Sequence, residues 1–150
     1  MPRPYEAEPA APAGPAPRRV GGLLAAYVVA HGILIVHGLG LALAAVIVNA
    51  NPALGGLSEP APWGSIIFYV VSNVFLAAYS VVVMRLILNK RKSAVVNNAV
   101  WAISTVVFLL IWYFLGMKSP LGVVIDSLPG LVGMAYLARS RRVKETLVLS

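Results

Sequence analysis

The chain has no cysteine, only two histidines and only five acidic residues among its 150. The first absence excludes disulfides, thiolate metal centres and iron–sulfur clusters. The shortage of acids leaves no carboxylate pair for acid–base work, and neither a phosphate-binding loop nor a nucleophile with its base is present. No catalytic residue, cofactor site or metal site is therefore expected, and the chain reads as something other than an enzyme. Charged residues of both signs make up 11%, against roughly a quarter in a soluble domain.

What is abundant is apolar. Hydrophobic residues account for 59% of the chain, and they fall in four blocks, residues 20–48, 64–88, 94–117 and 121–138. Each has the length, roughly 18 residues or more, that marks a membrane-spanning candidate. In lipid the backbone must satisfy its own hydrogen bonds, so the blocks are expected as helices. Alternation of period two is absent, which argues against a barrel. Asn51-Pro52, Gly55-Gly56, Pro60 and Pro62 punctuate the first connection, residues 89–93 form a basic turn, and Lys118-Ser119-Pro120 form a third. Short connections favour antiparallel neighbours. The expected fold is an all-α membrane protein, a four-helix transmembrane bundle running up-down-up-down. Residues 1–19 precede it as a disordered arm, with six prolines between Pro2 and Pro17, a composition that cannot build a core. Residues 139–150 follow as a basic tail.

The net charge of +7 does not point to nucleic acid, because the basic residues flank apolar blocks instead of covering a folded surface. Arg3, Arg18, Arg19, Arg85, Lys90, Arg91, Lys92, Arg139, Arg141, Arg142 and Lys144 would all lie on one side of the bilayer, and Lys118 alone on the other. The positive-inside rule then places both termini in the cytoplasm, N-in and C-in. The same clusters suit contact with anionic lipid head groups. The first apolar block is about twice the roughly 7–15 residues of a signal-peptide core, so it reads as a retained anchor.

Ionisable groups at membrane depth are costly and mark functional suspects. Three occur: His31, His37 and Asp126. Asp126 shares a helical stripe with Gly130, Gly133 and Leu137, and small residues mark close helix contact. Asp126 is expected to face protein, either gluing helices beside Pro129 or holding a proton or cation. His31 shares a stripe with Gly38, Ala42, Ala45 and Asn49, and His37 another with Ala26, Ala30, Gly40 and Ala44. Six residues rotate one histidine from the other by roughly 120°, so the first helix is expected to pack on two neighbours, each imidazole bonded to one of them. That spacing does not suit two ligands on one metal ion, which want three or four. Ser65, Tyr69, Ser72, Asn73 and Ser80 form a polar stripe on the second block, and Asn97, Trp101, Ser104 and Phe108 one on the third. Trp63, Trp112 and Tyr113 read as an aromatic belt at one interface, and Tyr27 and Tyr136 at the other.

Two motifs bracket the spanning region. Arg19-Val20-Gly21-Gly22-Leu23-Leu24 opens it, and Tyr136-Leu137-Ala138-Arg139-Ser140-Arg141-Arg142-Val143-Lys144-Glu145-Thr146-Leu147-Val148 closes it. Together they resemble the YdgK-like family of bacterial inner-membrane proteins, whose members open on a Gly-Gly-Trp-Leu-like turn and close on a Ser-x-Arg-Val-Lys-x-Thr-Phe-like tail. Leu23 stands where tryptophan is usual and Leu147 where phenylalanine is usual. The resemblance implies inner-membrane location and a four-span layout, and it supplies no activity. Ser140, Arg142, Val143, Lys144 and Thr146 are read as docking either lipid or a protein partner. The small size, the missing chemistry and the small-residue faces favour an accessory or scaffold subunit bound to other membrane protein subunits. The alternative is a small proton- or ion-linked transporter or channel using Asp126 and a membrane histidine.

Overall fold

A computed structural model describes residues 19–56 and 58–148. The Pro/Ala-rich arm, residues 1–18, lies outside the described residues. The described secondary structure is helical: α1 (Leu23–Ala50), a 3-10 turn (Pro52–Gly55), α2 (Trp63–Leu88), α3 (Ser93–Phe114), α4 (Pro120–Arg139) and α5 (Arg141–Thr146). The first four α-helices are long and apolar enough to cross a membrane, which fits a small membrane protein.

Local chemistry sets where the helices stop. At the end of α2, Lys90 takes a left-handed conformation, φ 56°. Its N–H donates to the Ile87 carbonyl (3.0 Å) and that of Arg91 to the Leu86 carbonyl (2.9 Å), the paired bonds of a Schellman cap. Gly116, φ 72°, closes α3 the same way, with Gly116 N–H on Tyr113 and Met117 N–H on Trp112. The helix therefore ends at Phe114, three residues short of the apolar block. α4 opens on Ser119, whose Oγ accepts from the Gly122 N–H at 3.1 Å, and Pro120 occupies the first helical position, where its missing donor costs nothing.

The molecule is apolar outside and partly polar inside. In the most apolar window of α1 only 11% of residues are buried, and Val29, Ile33, Val36 and Leu43 point outward. Buried instead are His31, Asn49, Ser72, Asn73, Ser80 and Asn98. A water-soluble domain does not leave an apolar exterior on this scale, whereas lipid solvates it.

α1 packs on α2, α2 on α3 and α3 on α4, while α1 and α4 scarcely approach each other. One apolar cluster joins Leu24 of α1, Val83 and Ile87 of α2, Ala94 of α3 and Leu137 of α4 with Val143 and Leu147. A second joins Tyr69, Leu109 and Trp112 with Leu41 and Val123. α1 lies along α2 and also reaches α3, through Tyr27 and His31. His31, Ala42 and Asn49 turn inward, but Ala26, Gly40 and Ala44 of the His37 stripe stay exposed.

Candidate functional site

The gap between α1 and α4 is a partly open cleft of about 240 Å³. All four long helices wall it. His37 and Gly38 come from α1, Asn73 and Ser80 from α2, Thr105 and Trp112 from α3, and Asp126 and Pro129 from α4. Leucines and Ile125 supply most of the remaining lining.

Asp126 is ion-paired here with Lys118, which reaches along the first turns of α4 from the preceding turn. The lysine side chain is 21% exposed and the carboxylate 42%, so the pair sits at the mouth of the cleft and not in the packed interior. An isolated charge at membrane depth costs about 2.5–3.5 kcal/mol or more, and each partner lowers that cost for the other. Tyr69, one turn from Asn73, lies within electrostatic reach of both charges. Pro129 lacks an N–H, which frees the Ile125 carbonyl one turn back to accept from a ligand or water in the cleft.

The polar wall opposite is tied by hydrogen bonds within the protein. Asn73 Nδ2 donates to the Tyr69 carbonyl at 2.9 Å, and its Oδ1 lies 3.4 Å from where a β-carbon on Gly38 would stand. Ser72 Oγ donates to the Phe68 carbonyl (2.8 Å) and accepts the Trp112 indole N–H (2.9 Å). Trp112 is thus a buried strut between α3 and α2. Trp112 is therefore a packed residue, whereas Trp63 and Tyr113 are exposed.

Trp101 closes the floor, its indole N–H donating to the Leu76 carbonyl at 3.2 Å. Below it His31 is wholly buried, stacked edge-on between the rings of Trp101 (4.6 Å) and Tyr27 (4.8 Å). The Tyr27 hydroxyl donates to Asn98 Oδ1 at 2.7 Å. Among the described residues, neither ring nitrogen of His31 nor Asn98 Nδ2 has a partner in hydrogen-bond geometry. The imidazole meets the neighbouring helix α3 at the Trp101 ring and beside the Asn98 side chain. Buried orphans of this kind ordinarily mark a water or ligand.

The glycines of α4 act through space. A β-carbon on Gly133 would run into the Tyr27 ring, and one on Gly130 would stand 3.4 Å from Trp101. These absences let Tyr27 cross from α1 beneath the cleft.

Among the tail residues, Val143 and Thr146 are buried against the bundle, while Lys144 is exposed. Ser140 Oγ caps α5 by accepting from the Val143 N–H (3.4 Å), and Thr146 Oγ1 donates to the Arg142 carbonyl (2.8 Å). Arg142 itself lies against Gly21 and Gly22, so the two motifs that bracket the spanning region form one structure.

Sequence reasoning brought Asp126, His37 and Asn73 to notice, and the structure gathers them on one cleft. It missed Lys118, taken as a lone turn residue, and Asn98. The signal for Asn98 was its spacing from Ala94, Trp101, Ala102 and Leu109, the buried face of α3. Among the described residues no group of three or more metal-ligating side chains occurs. Comparison with family models, with curated proteins and with solved structures finds no match to this chain.

Proposed function

We propose that this is a four-pass inner-membrane protein of the bacterial type, its helices running up-down-up-down with both termini cytoplasmic. Its cleft binds a small charged solute or ion and moves it in company with a proton or cation. The observation that carries this reading is the meeting of Asp126, Lys118 and His37 on one cleft walled by four helices. A carboxylate and an ammonium that neutralise each other can exchange that contact for a ligand of either charge. Coupled movement requires a site that can change partners between two states of comparable energy.

The test is flux in proteoliposomes made with the full chain, read with a pH-sensitive dye under imposed proton, sodium and potassium gradients. Wild-type protein is expected to dissipate at least one gradient above the empty-liposome rate. Asp126→Asn is expected to abolish that flux while circular dichroism stays unchanged. A folded wild type that dissipates none of the three overturns the reading.

A second reading, an accessory subunit, draws on the exposed small-residue face of α1. Ala26, Gly40 and Ala44 are exposed among the described residues, and such faces suit a partner helix. Stoichiometric co-purification of another membrane protein from mild detergent, lost on Gly40→Leu, would favour it over transport by an isolated chain.

A further inference from the structure

A second groove opens at the basic end of the bundle, between the start of α3 and α5. Its lining is Lys92, Val95, Val143, Lys144 and Leu147, around about 240 Å³. We propose that this groove seats one anionic phospholipid of the adjacent leaflet, the phosphate held between Lys92 and Lys144 and the upper acyl chain laid on Val95 and Leu147.

Three features lead to that occupant. The first is charge. Two ammonium groups from different elements share one rim, and neither has an ion-pair partner among the described residues. An anion between them relieves their repulsion and pairs with both. The second is the floor. Val143 is fully buried and Leu147 is 3% exposed, so the groove is apolar beneath its cationic rim. That is the polarity of a lipid read from head group to chain, and an apolar floor gives nothing to a hydrated inorganic anion. The third is fixity. Val143 and Leu147 anchor α5 in the same cluster as Ile87 and Ala94, and Thr146 is buried beside them in sequence, so the Lys144 wall is preformed. The groove lies where α3 begins, at the level at which a spanning helix leaves the hydrocarbon for the head groups.

The experiment uses the full chain in nanodiscs of equal phosphatidylglycerol and phosphatidylcholine, released into native mass spectrometry. One retained phosphatidylglycerol per chain is expected, in clear excess over phosphatidylcholine. Lys92→Gln with Lys144→Gln should lower that retention by about tenfold or more, as loss of two cations at an anionic surface implies. Arg85→Gln with Arg139→Gln removes the same charge from the same end outside the groove and should leave retention intact. Val95→Trp keeps both lysines, fills the floor and should expel the lipid. It decides the matter if the double lysine variant fails to fold. Equal loss in both charge pairs, no preference for phosphatidylglycerol, or displacement by millimolar inorganic phosphate overturns the proposal. The first result would mean diffuse attraction, and the last a free-anion site.

Discussion

Arg142 lays its guanidinium against Gly22, with a terminal nitrogen 3.2 Å from the point a β-carbon would occupy. Gly22 also holds φ 58° at the start of α1, a conformation that L side chains avoid. Two independent constraints thus meet on one residue, and together they tie the first turn of the bundle to its last.

Gly22→Ala is therefore expected to destabilise the protein by about 1–2 kcal/mol from the backbone alone, with a further loss from crowding Arg142. Denaturation in mild detergent measures it. Arg142→Ala should remove only the crowding, so the double variant should be less damaged than the two single effects added together. A Gly22→Ala protein as stable as wild type contradicts both constraints.

Gly133→Ala should be harmful for a different reason. Its methyl group would displace the Tyr27 ring and with it the bond to Asn98. Overpacking of this kind costs about 1–3 kcal/mol. The same substitution made in a Tyr27→Ala background should cost far less, because the obstructing ring is gone. Equal cost in both backgrounds would show that the close approach is not what demands glycine.

Lys90→Gly should stabilise. Lys90 closes α2 at φ 56°, where a side chain costs about 1–2 kcal/mol that glycine avoids. A rise of about 1 kcal/mol in the same denaturation assay is expected, and a fall would mean that contacts of the Lys90 side chain outweigh its backbone strain.

Much of the fold was legible because its causes are local. Each long helix came out within a few residues of its apolar block, since about 20 consecutive apolar residues state their own solvent preference. Gly116 shows the limit. It lies inside the third block by hydropathy, yet it ends α3 before the block does, because a left-handed cap breaks the helix regardless of polarity. The inward faces of α1 and α2 were legible too: His31, Ala42, Asn49, Tyr69, Ser72, Asn73 and Ser80 are buried on the stripes that a 3.6-residue period draws.

The site was legible only in part. Periodicity names the residues that share a face but not the neighbour they meet. Asp126 stood out because charge at membrane depth is rare. Its partner Lys118 did not, because a basic residue in a turn is ordinary until a helix start bends it back over α4. Trp112 likewise looked like an interfacial aromatic until packing placed Ser72 within reach of its indole.

By itself the sequence determined the apolar character of the helices, the number of long ones and roughly where each begins and ends. Those follow from the polarity of contiguous residues, which no distant contact can change. The tertiary structure alone decided that α1 and α4 stand apart to leave a cleft, that Lys118 faces Asp126, and that Arg142 closes on Gly22. Each of these depends on side chains from separate segments filling one space, and the size and direction of that space exist only once the helices have packed.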